Sequence, residues 1–459
     1  MKTRIEEDAL GKKRLPAEAY YGIQTFRAVE NFPISGRTLP YEMVTALTRI
    51  KVAAAKVHLD LRVLKPRLAR AILRAGKEIL QGRFKDQFVV DIYQAGAGTS
   101  FHMNVNEVIA NRAIQLLGAR RGDYRLVSPN DHVNKGQSTN DVIPTAIRLA
   151  SLPLLEELEE VLDGLERSLR RKGAQFRRVV KSARTHLQDA VPIYLGRDFT
   201  AYAGMIRRSR RRIERARQDL LELNIGGTAA GTGLNAHPQY QRRMIRELRR
   251  LTGYPVKPAG DLVEIMQNMT DFLNTSGSLR LLAVDLIKIC NDLRLLSSGP
   301  QTGLDELVLP AIQPGSSIMP GKVNPVLCEM TTMVAFQVIG HDTALMMAAQ
   351  AGQLELNVMM PLIAHALLES VKLLTAACHV FGRRCVDGIT ANRERCLEYA
   401  EKTVSLATAL NPYIGYLKAA KIVKEAVRER RPIREVAEKL SGLPPQKLKK
   451  ILDPHRLAR

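Results

Sequence analysis

The sequence predicts a mainly α-helical chain built around a long central helical bundle. Three features point there. Segments rich in Ala, Leu, Ile, Met, Arg and Glu recur along the whole length, and alternating Val/Ile/Thr strands with hairpin turns are scarce. Leu262, Ile265, Met269, Phe272, Ser276, Leu279, Ala283, Leu286, Cys290 and Leu293 follow a 3-4-3-4 spacing. A near-3.5 repeat held from Asp261 to Ser298 implies a straight helix packed lengthwise on others.

Before Asn140 the pattern is punctuated by Gly and Pro, so the helices there are short. Apolar periodicity then runs on from Pro144 to Arg170, from Gly196 to Leu223 and from Val326 to about Phe381, the last with a kink expected at Pro361. Such helices span roughly 40–55 Å at 1.5 Å per residue. They carry more apolar surface than one thin bundle can hide, so self-association is expected. After Asn392 the elements shorten again, ending in PPQKLKKILDPHRLAR. The expected division is an N-terminal helical domain 1–139, a central long-helix bundle domain 140–391 and a small C-terminal helical domain 392–459.

The 459 residues include 69 Lys+Arg against 46 Asp+Glu, a net charge of +23 that raises nucleic acid or an acidic membrane as partner. The absence of Trp and an aromatic content of 5% oppose a stacking platform for single strands. The densest basic run, RRSRRRIERARQ at 207–218, has no zinc-finger or zipper pattern and reads as the solvated face of a long helix. No nucleic acid and no membrane partner is expected. MKTRIEEDALGKKRL has charges where a signal peptide needs an apolar core, which makes a cytoplasmic protein the expectation. The five cysteines (Cys290, Cys328, Cys378, Cys385, Cys396) form no CxxC pair and are read as buried free thiols.

Polar residues gather at three loop-to-helix junctions. GAGTS (96–100) precedes MNVNEVIANRAIQLL and sets Thr99 or Ser100 near an N-cap. In GQSTND (136–141), Ser138 and Asp141 have capping-box spacing. Asn324–Pro325 sets an Asn cap before a helix with Pro at its first position. Helix N-termini carry unpaired N–H groups and partial positive charge, so three of them, with Lys322 beside one and His186 in ARTHLQDA, suit a small polyanion. GGTAAGTGLN (226–235) resembles a phosphate loop only superficially, since Thr232 stands where the lysine belongs.

GSSIMPGKVNP (315–325) adds chemistry to binding. Gly315 and Gly321 bracket a lid-like loop holding two serines and a lysine. N–H donors and a nearby ammonium in a water-excluded loop favour a serine alkoxide. With no GxSxG elbow, no HExxH and no Cys/His cluster, the pattern disfavours a hydrolase and favours proton abstraction next to a carboxylate.

GSSIMPGKVNP resembles, without a mismatch, the signature of the aspartase/fumarase superfamily. The likeness continues through RIEEDALG, PAEAYYGIQTFRAVENFPISG, HVNKGQSTND, RTHLQDAVPIYLG, GTAAGTGLN and ALNPYIGYLKAAKIVKEA. It implies a three-domain, mainly helical fold and a homotetramer with each active site shared by three subunits. STND at 138–141, AAQAGQLELNVM at 348–359 and GITANRERC at 388–396 look like the ammonia-lyase branch, whereas YYGIQT, ENFPISG and ALNPYIGY are shared with some class II fumarases. The implied reaction is reversible anti elimination of ammonia from L-aspartate to fumarate; hydration of fumarate to malate is the alternative, and a non-catalytic basic scaffold a third reading. Ser128 stands where many fumarases place an accessory-site histidine, and His102 where the family commonly has Asn. His102 is read as a polar swap satisfied by a neighbouring subunit, or else as a determinant of substrate preference.

By resemblance, Ser316 is the general base, acting on the substrate dicarboxylate without metal or organic cofactor. Thr99, Ser138, Thr139 and Ser317 would hold the enediolate formed on the β-carboxylate, and Thr185, His186, Lys322 and Asn324 the α-carboxylate. Asn140 and His186 would face the departing ammonium, with Glu329 orienting the histidine.

Overall fold

The computed structural model describes residues 2–458. Its residues fall into two compact units. The first comprises the residues up to Glu159, Arg211–Leu281 and Gln337–Leu374; the second comprises Glu160–Arg210, Leu282–Phe336 and the residues from Thr375 onward.

The first unit opens with the antiparallel hairpin β1 (Thr3–Asp8) and β2 (Gly11–Pro16), followed by α1 (Ile23–Asn31). Next come α2 (Tyr41–Asp60), α3 (Pro66–Leu80) and α4 (Thr99–Leu116), which pack on one another. On α2 the buried residues Val44, Leu47, Lys51, Ala54 and His58 recur at three- and four-residue steps, so Lys51 lies in the core stripe. The long helix α5 (Thr139–Gln175) begins in this unit. Pro144 has no N–H for the Asn140 carbonyl, and the Asn224 amide donates to that carbonyl instead at 3.2 Å. Arg148, fully buried on the same helix, donates to the Asp219 carbonyl and pairs with Asp271 at 2.7 Å.

In the second unit, β3 (Val180–Thr185) and β4 (Gln188–Tyr194) form an antiparallel hairpin that leads into α6 (Leu195–Asp219). The basic run 207–218 lies on α6, where Ile206, Ile213 and Ala216 face inward and most of the arginines face solvent. The solvated-face reading holds. In the C-terminal part, Leu406, Leu410, Ile422, Ala426, Ile433, Val436, Leu448 and Leu452 close a small core of their own.

Two short first-unit segments, α7 (Tyr240–Thr252) and α8 (Glu264–Gln267), precede α9 (Thr270–Leu296). The repeat expected from Asp261 is therefore interrupted near Asn268, yet every seam residue from Ile265 to Leu293 is buried. The single kinked helix expected over 326–381 is two helices, α10 (Val326–Gln350) and α11 (Met360–Val380). The break has a physical cause. The buried Asn357 amide donates to the last carbonyls of α10, Ala348 and Ala349, at 2.9 and 3.0 Å. Pro361 then sits in the first turn of α11, where its missing N–H costs nothing. The run Met360–Gly388 is apolar and long enough to cross a membrane by length and composition alone, and 61% of its apolar window is buried inside the protein.

Candidate functional site

In the first unit, α4 and α5 bring their N-termini together. Gly98, at φ +90°, turns the chain into α4, and a Cβ there would sit 3.3 Å from Ile143 of α5. Gly98 occupies the cap position and Thr99 is the first helical residue, exposed and without a capping bond of its own, so neither Thr99 nor Ser100 is the cap. The Gln94 side chain takes up the Phe101 N–H at 2.7 Å. At α5 the capping box forms: the Ser138 N–H donates to Asp141 at 2.9 Å and the Asn140 N–H to the Ser138 hydroxyl at 3.2 Å.

Asp141 is fully buried, and its second carboxylate oxygen accepts from the N–H groups of Gly226 and Thr228 at 2.9 and 3.1 Å. Burial pushes its carboxyl up to about 6. The Asn140 amide donates to the Ala229 carbonyl at 2.8 Å. The Gly-rich stretch 226–235 thus serves as a brace for the start of α5.

Behind Thr139 lies a buried polar relay that the sequence reading missed. Nδ1 of His102 is 2.9 Å from the Thr139 hydroxyl, and Nε2 is 2.6 Å from the Lys51 nitrogen. That nitrogen also donates to Asn134 Oδ1 at 2.8 Å and Gln137 Oε1 at 3.0 Å. Three acceptors around one nitrogen match the three donors of an ammonium. With Nε2 accepting, His102 carries its proton on Nδ1 and donates it to Thr139, leaving the Thr139 hydroxyl hydrogen free to point outward. Burial holds His102 well below the usual imidazole range and pulls Lys51 down to about 7, with the Asp141 carboxylate opposing the latter. His102 is therefore satisfied inside its own chain, which corrects the expectation of a neighbouring subunit. The signal was present: a lysine on the core stripe of α2.

In the second unit the loop 315–324 closes at its neck. The Gly315 N–H donates to the Lys322 carbonyl at 2.7 Å, and the Asn324 amide donates to the Gly315 carbonyl at 2.6 Å. A Cβ on Gly315 would lie 2.6 Å from the Lys322 carbonyl oxygen, so this crossing requires glycine. Asn324 is consequently not a helix cap: the Pro325 carbonyl accepts the first α10 bonds, from Cys328 and Glu329, at 3.0 and 3.1 Å. The N–H groups of Ile318 and Met319 both donate to the Ser316 hydroxyl oxygen, at 3.2 and 2.9 Å. Two donors on one oxygen favour its anionic form. Ser317 and Lys322 are exposed on the same loop. A cavity of about 570 Å³ is lined by the loop and its approach, including Ser316, Ser317 and Lys322, and one of about 780 Å³ by Lys322, Asn324, Glu329, Asn291 and Arg294.

Thr185 and His186 lie at the exposed end of the β3–β4 hairpin, where Thr185 pairs with Gln188. The two turn residues, His186 and Leu187, have φ +56° and +59°, a conformation normally left to Asn-Gly. Arg184 anchors the hairpin on the buried Glu306 carboxylate at 2.9 and 3.0 Å. Among the described residues no hydrogen bond or ion pair joins His186 to Glu329. The structure thus gathers Ser138, Thr139 and Asn140 with the α4 terminus in one unit, and Ser316, Ser317, Lys322 and Asn324 on one loop in the other. All five cysteines are buried and free, as expected.

A family model described as Lyase matches residues 11–340, and one described as Fumarase C C-terminus matches 406–459. An aspartate ammonia-lyase from Pseudomonas aeruginosa is 49% identical over 99% of this chain and 97% of its own, and one from Bacillus subtilis 46% identical over 99% and 96%. A crystal structure of a fumarate lyase:delta crystallin from Brucella melitensis bound to cobalt superposes with TM-score 0.96 at 49% identity, covering all of both chains. A class II fumarase from Schistosoma mansoni superposes with TM-score 0.95 at 39% identity, covering 100% of this chain and 99% of its own. With the helical architecture and the serine loop of that signature, these matches make the chain a member of the aspartase/fumarase superfamily of lyases.

Proposed function

We propose that the chain is an aspartate ammonia-lyase, a carbon–nitrogen lyase that converts L-aspartate reversibly to fumarate and ammonia. The observation that carries the chemistry is the Ser316 oxygen held by two backbone N–H groups in a loop that also bears a lysine. Ser316 takes the proton from Cβ, and the electron pair moves onto the β-carboxylate as an enediolate. Donors suited to that charge are the hydroxyls of Thr99, Ser138, Thr139 and Ser317, the Thr139 hydrogen being freed for this by His102. Thr185, His186, Lys322 and Asn324 grip the α-carboxylate, Asn140 and His186 face the amine, and Glu329, unbonded to His186 within one chain, orients the histidine of a neighbouring subunit. The enediolate then collapses, the C–N bond breaks anti to the lost proton, and ammonia leaves.

The same reading takes the protein as a cytoplasmic homotetramer with three subunits contributing to each site, built from segments 1–139, 140–391 and 392–459. What supports self-association is a set of exposed apolar residues on the long helices: Leu281, Val284 and Leu295 on α9, and Met333, Phe336 and Met346 on α10. A small dicarboxylate is the substrate class of the relatives.

The test is fumarate formation from L-aspartate, L-malate, argininosuccinate and adenylosuccinate side by side. Turnover of aspartate alone supports the reading; turnover of malate alone makes the chain a fumarate hydratase, and no turnover with salt-dependent DNA binding makes it a scaffold.

A further inference from the structure

Away from the proposed catalytic residues, α10 and α11 bring three ligand-type side chains of the first unit together. His365 and Glu369 are four residues apart on α11 and so share one face, and His341 reaches them from α10. Oε2 of Glu369 lies 3.0 Å from Nε2 of His365 and 3.6 Å from Nε2 of His341. The two histidine side chains are 11% and 12% exposed and Glu369 33%, so the cluster is nearly enclosed but open on one side.

The proton positions follow from the neighbours. The Ser370 hydroxyl donates to the Ala366 carbonyl at 2.6 Å, so its oxygen accepts the Nδ1 proton of His341 at 3.1 Å. Nε2 of His341 therefore carries a lone pair and accepts from the Gln337 amide at 2.8 Å. Oε2 of Glu369, 3.6 Å from that nitrogen, is by contrast buried without a hydrogen-bond donor. A buried carboxylate oxygen left without a donor is costly, and a cation held between it and the two imidazoles would satisfy it. The spacing fits as well. Ligands 2.0–2.2 Å from a tetrahedral ion stand about 3.4 Å from each other, and the two separations here fall on either side of that value.

We propose that His341, His365 and Glu369 form a binding site for a divalent transition ion such as Zn²⁺ or Co²⁺, which staples α10 to α11. Two imidazoles and one carboxylate suit such ions better than Mg²⁺ or Ca²⁺, which prefer all-oxygen sets. A half-turn of the Gln337 amide would offer its oxygen as a fourth ligand. Ser370 acts as a positioning residue by fixing the His341 tautomer. The site itself does not rest on the lyase reading; only the activity control does.

The test is equilibrium dialysis of chelator-stripped full-length protein against Co²⁺ or Zn²⁺, with metal content measured per chain and the Co²⁺ visible spectrum recorded. The expected result is one ion per chain with intense tetrahedral-type bands, unaffected by excess Mg²⁺. His341→Ala and His365→Ala should lose that ion while fumarate formation from aspartate is retained, and Ser370→Ala should bind about 10–100-fold more weakly. Failure of wild-type protein to bind, octahedral-type bands, or an unchanged stoichiometry in the double variant His341→Ala/His365→Ala would each overturn the proposal. Because the spectrum is read on wild-type protein, a poorly folded variant leaves that result standing.

Discussion

Nε2 of His102 meets the Lys51 nitrogen at 2.6 Å while the opposite nitrogen of the same ring meets Thr139 at 2.9 Å, and both His102 and Lys51 are fully buried. A charge in the core of α2 is thereby connected to a hydroxyl at the mouth of α5. Lys51→Met strands acceptors on His102, Asn134 and Gln137, and should lower unfolding stability by about 3 kcal/mol at 1–3 kcal/mol for each buried group left unpaired, with incomplete additivity. Urea unfolding measures it; a loss within error of zero would mean that water or a rearranged side chain replaces the ammonium.

His102→Ala should raise KM for aspartate about 10-fold with a smaller change in kcat, because Thr139 then loses the donor that orients its hydroxyl, an interaction of about 0.5–1.5 kcal/mol. His102→Asn, the residue common in the family, is expected to recover part of this. Steady-state kinetics on the two variants separates a positioning role from simple packing, which would move stability and leave KM unchanged.

Two buried groups, Asp141 and Lys51, also set opposing pH limbs. Asp141 titrates near 6 in the fold against an ordinary 3.8, so between those values the folded chain holds the extra proton and stability falls as pH rises. Lys51 titrates near 7 against an ordinary 10.5, so between those values the unfolded chain holds the extra proton and stability rises with pH. Asp141→Asn should flatten the first limb and Lys51→Met the second in urea midpoints measured from pH 4 to 10. Slopes identical to wild type would refute the assignment.

Ser316→Ala should lower kcat about 10³-fold, the middle of the range for removal of a general base, while the chain stays folded. Lys322→Ala should chiefly raise KM. Near-normal turnover of purified Ser316→Ala would remove it as the base, and an unchanged KM would remove Lys322 from carboxylate binding.

Leu187→Gly should stabilise the protein by about 1 kcal/mol, since glycine adopts the positive φ of that hairpin position without the Cβ penalty. Thermal unfolding detects the shift.

The seam of α9 was legible residue by residue because a 3.5 repeat reports burial directly. Its start at Thr270 was not, nor were two other boundaries. Asn357 ends α10 from nine residues away with a side chain, and Asn324 gives its amide to Gly315 instead of to the helix it precedes. Both are tertiary choices among polar partners that share the same local sequence cues. The site loop was readable as chemistry from its two serines, its lysine and the N–H donors such a loop supplies; which N–H groups serve Ser316 was not, since that depends on how the turn from Ser316 to Met319 folds back on itself. Lys51 was readable in principle, as a charge on an apolar stripe, and was passed over because its partners come from residues more than fifty positions away.

The closed neck of loop 315–324 makes the proposed base self-contained. The two N–H groups aimed at Ser316 belong to its own turn, so whatever swing carries the loop toward a bound substrate carries them along. A serine arriving bare would surrender its hydration as water is expelled; this one brings dipoles that stand in for the lost solvent. The stabilisation of its anionic form thus belongs to the turn and moves with it.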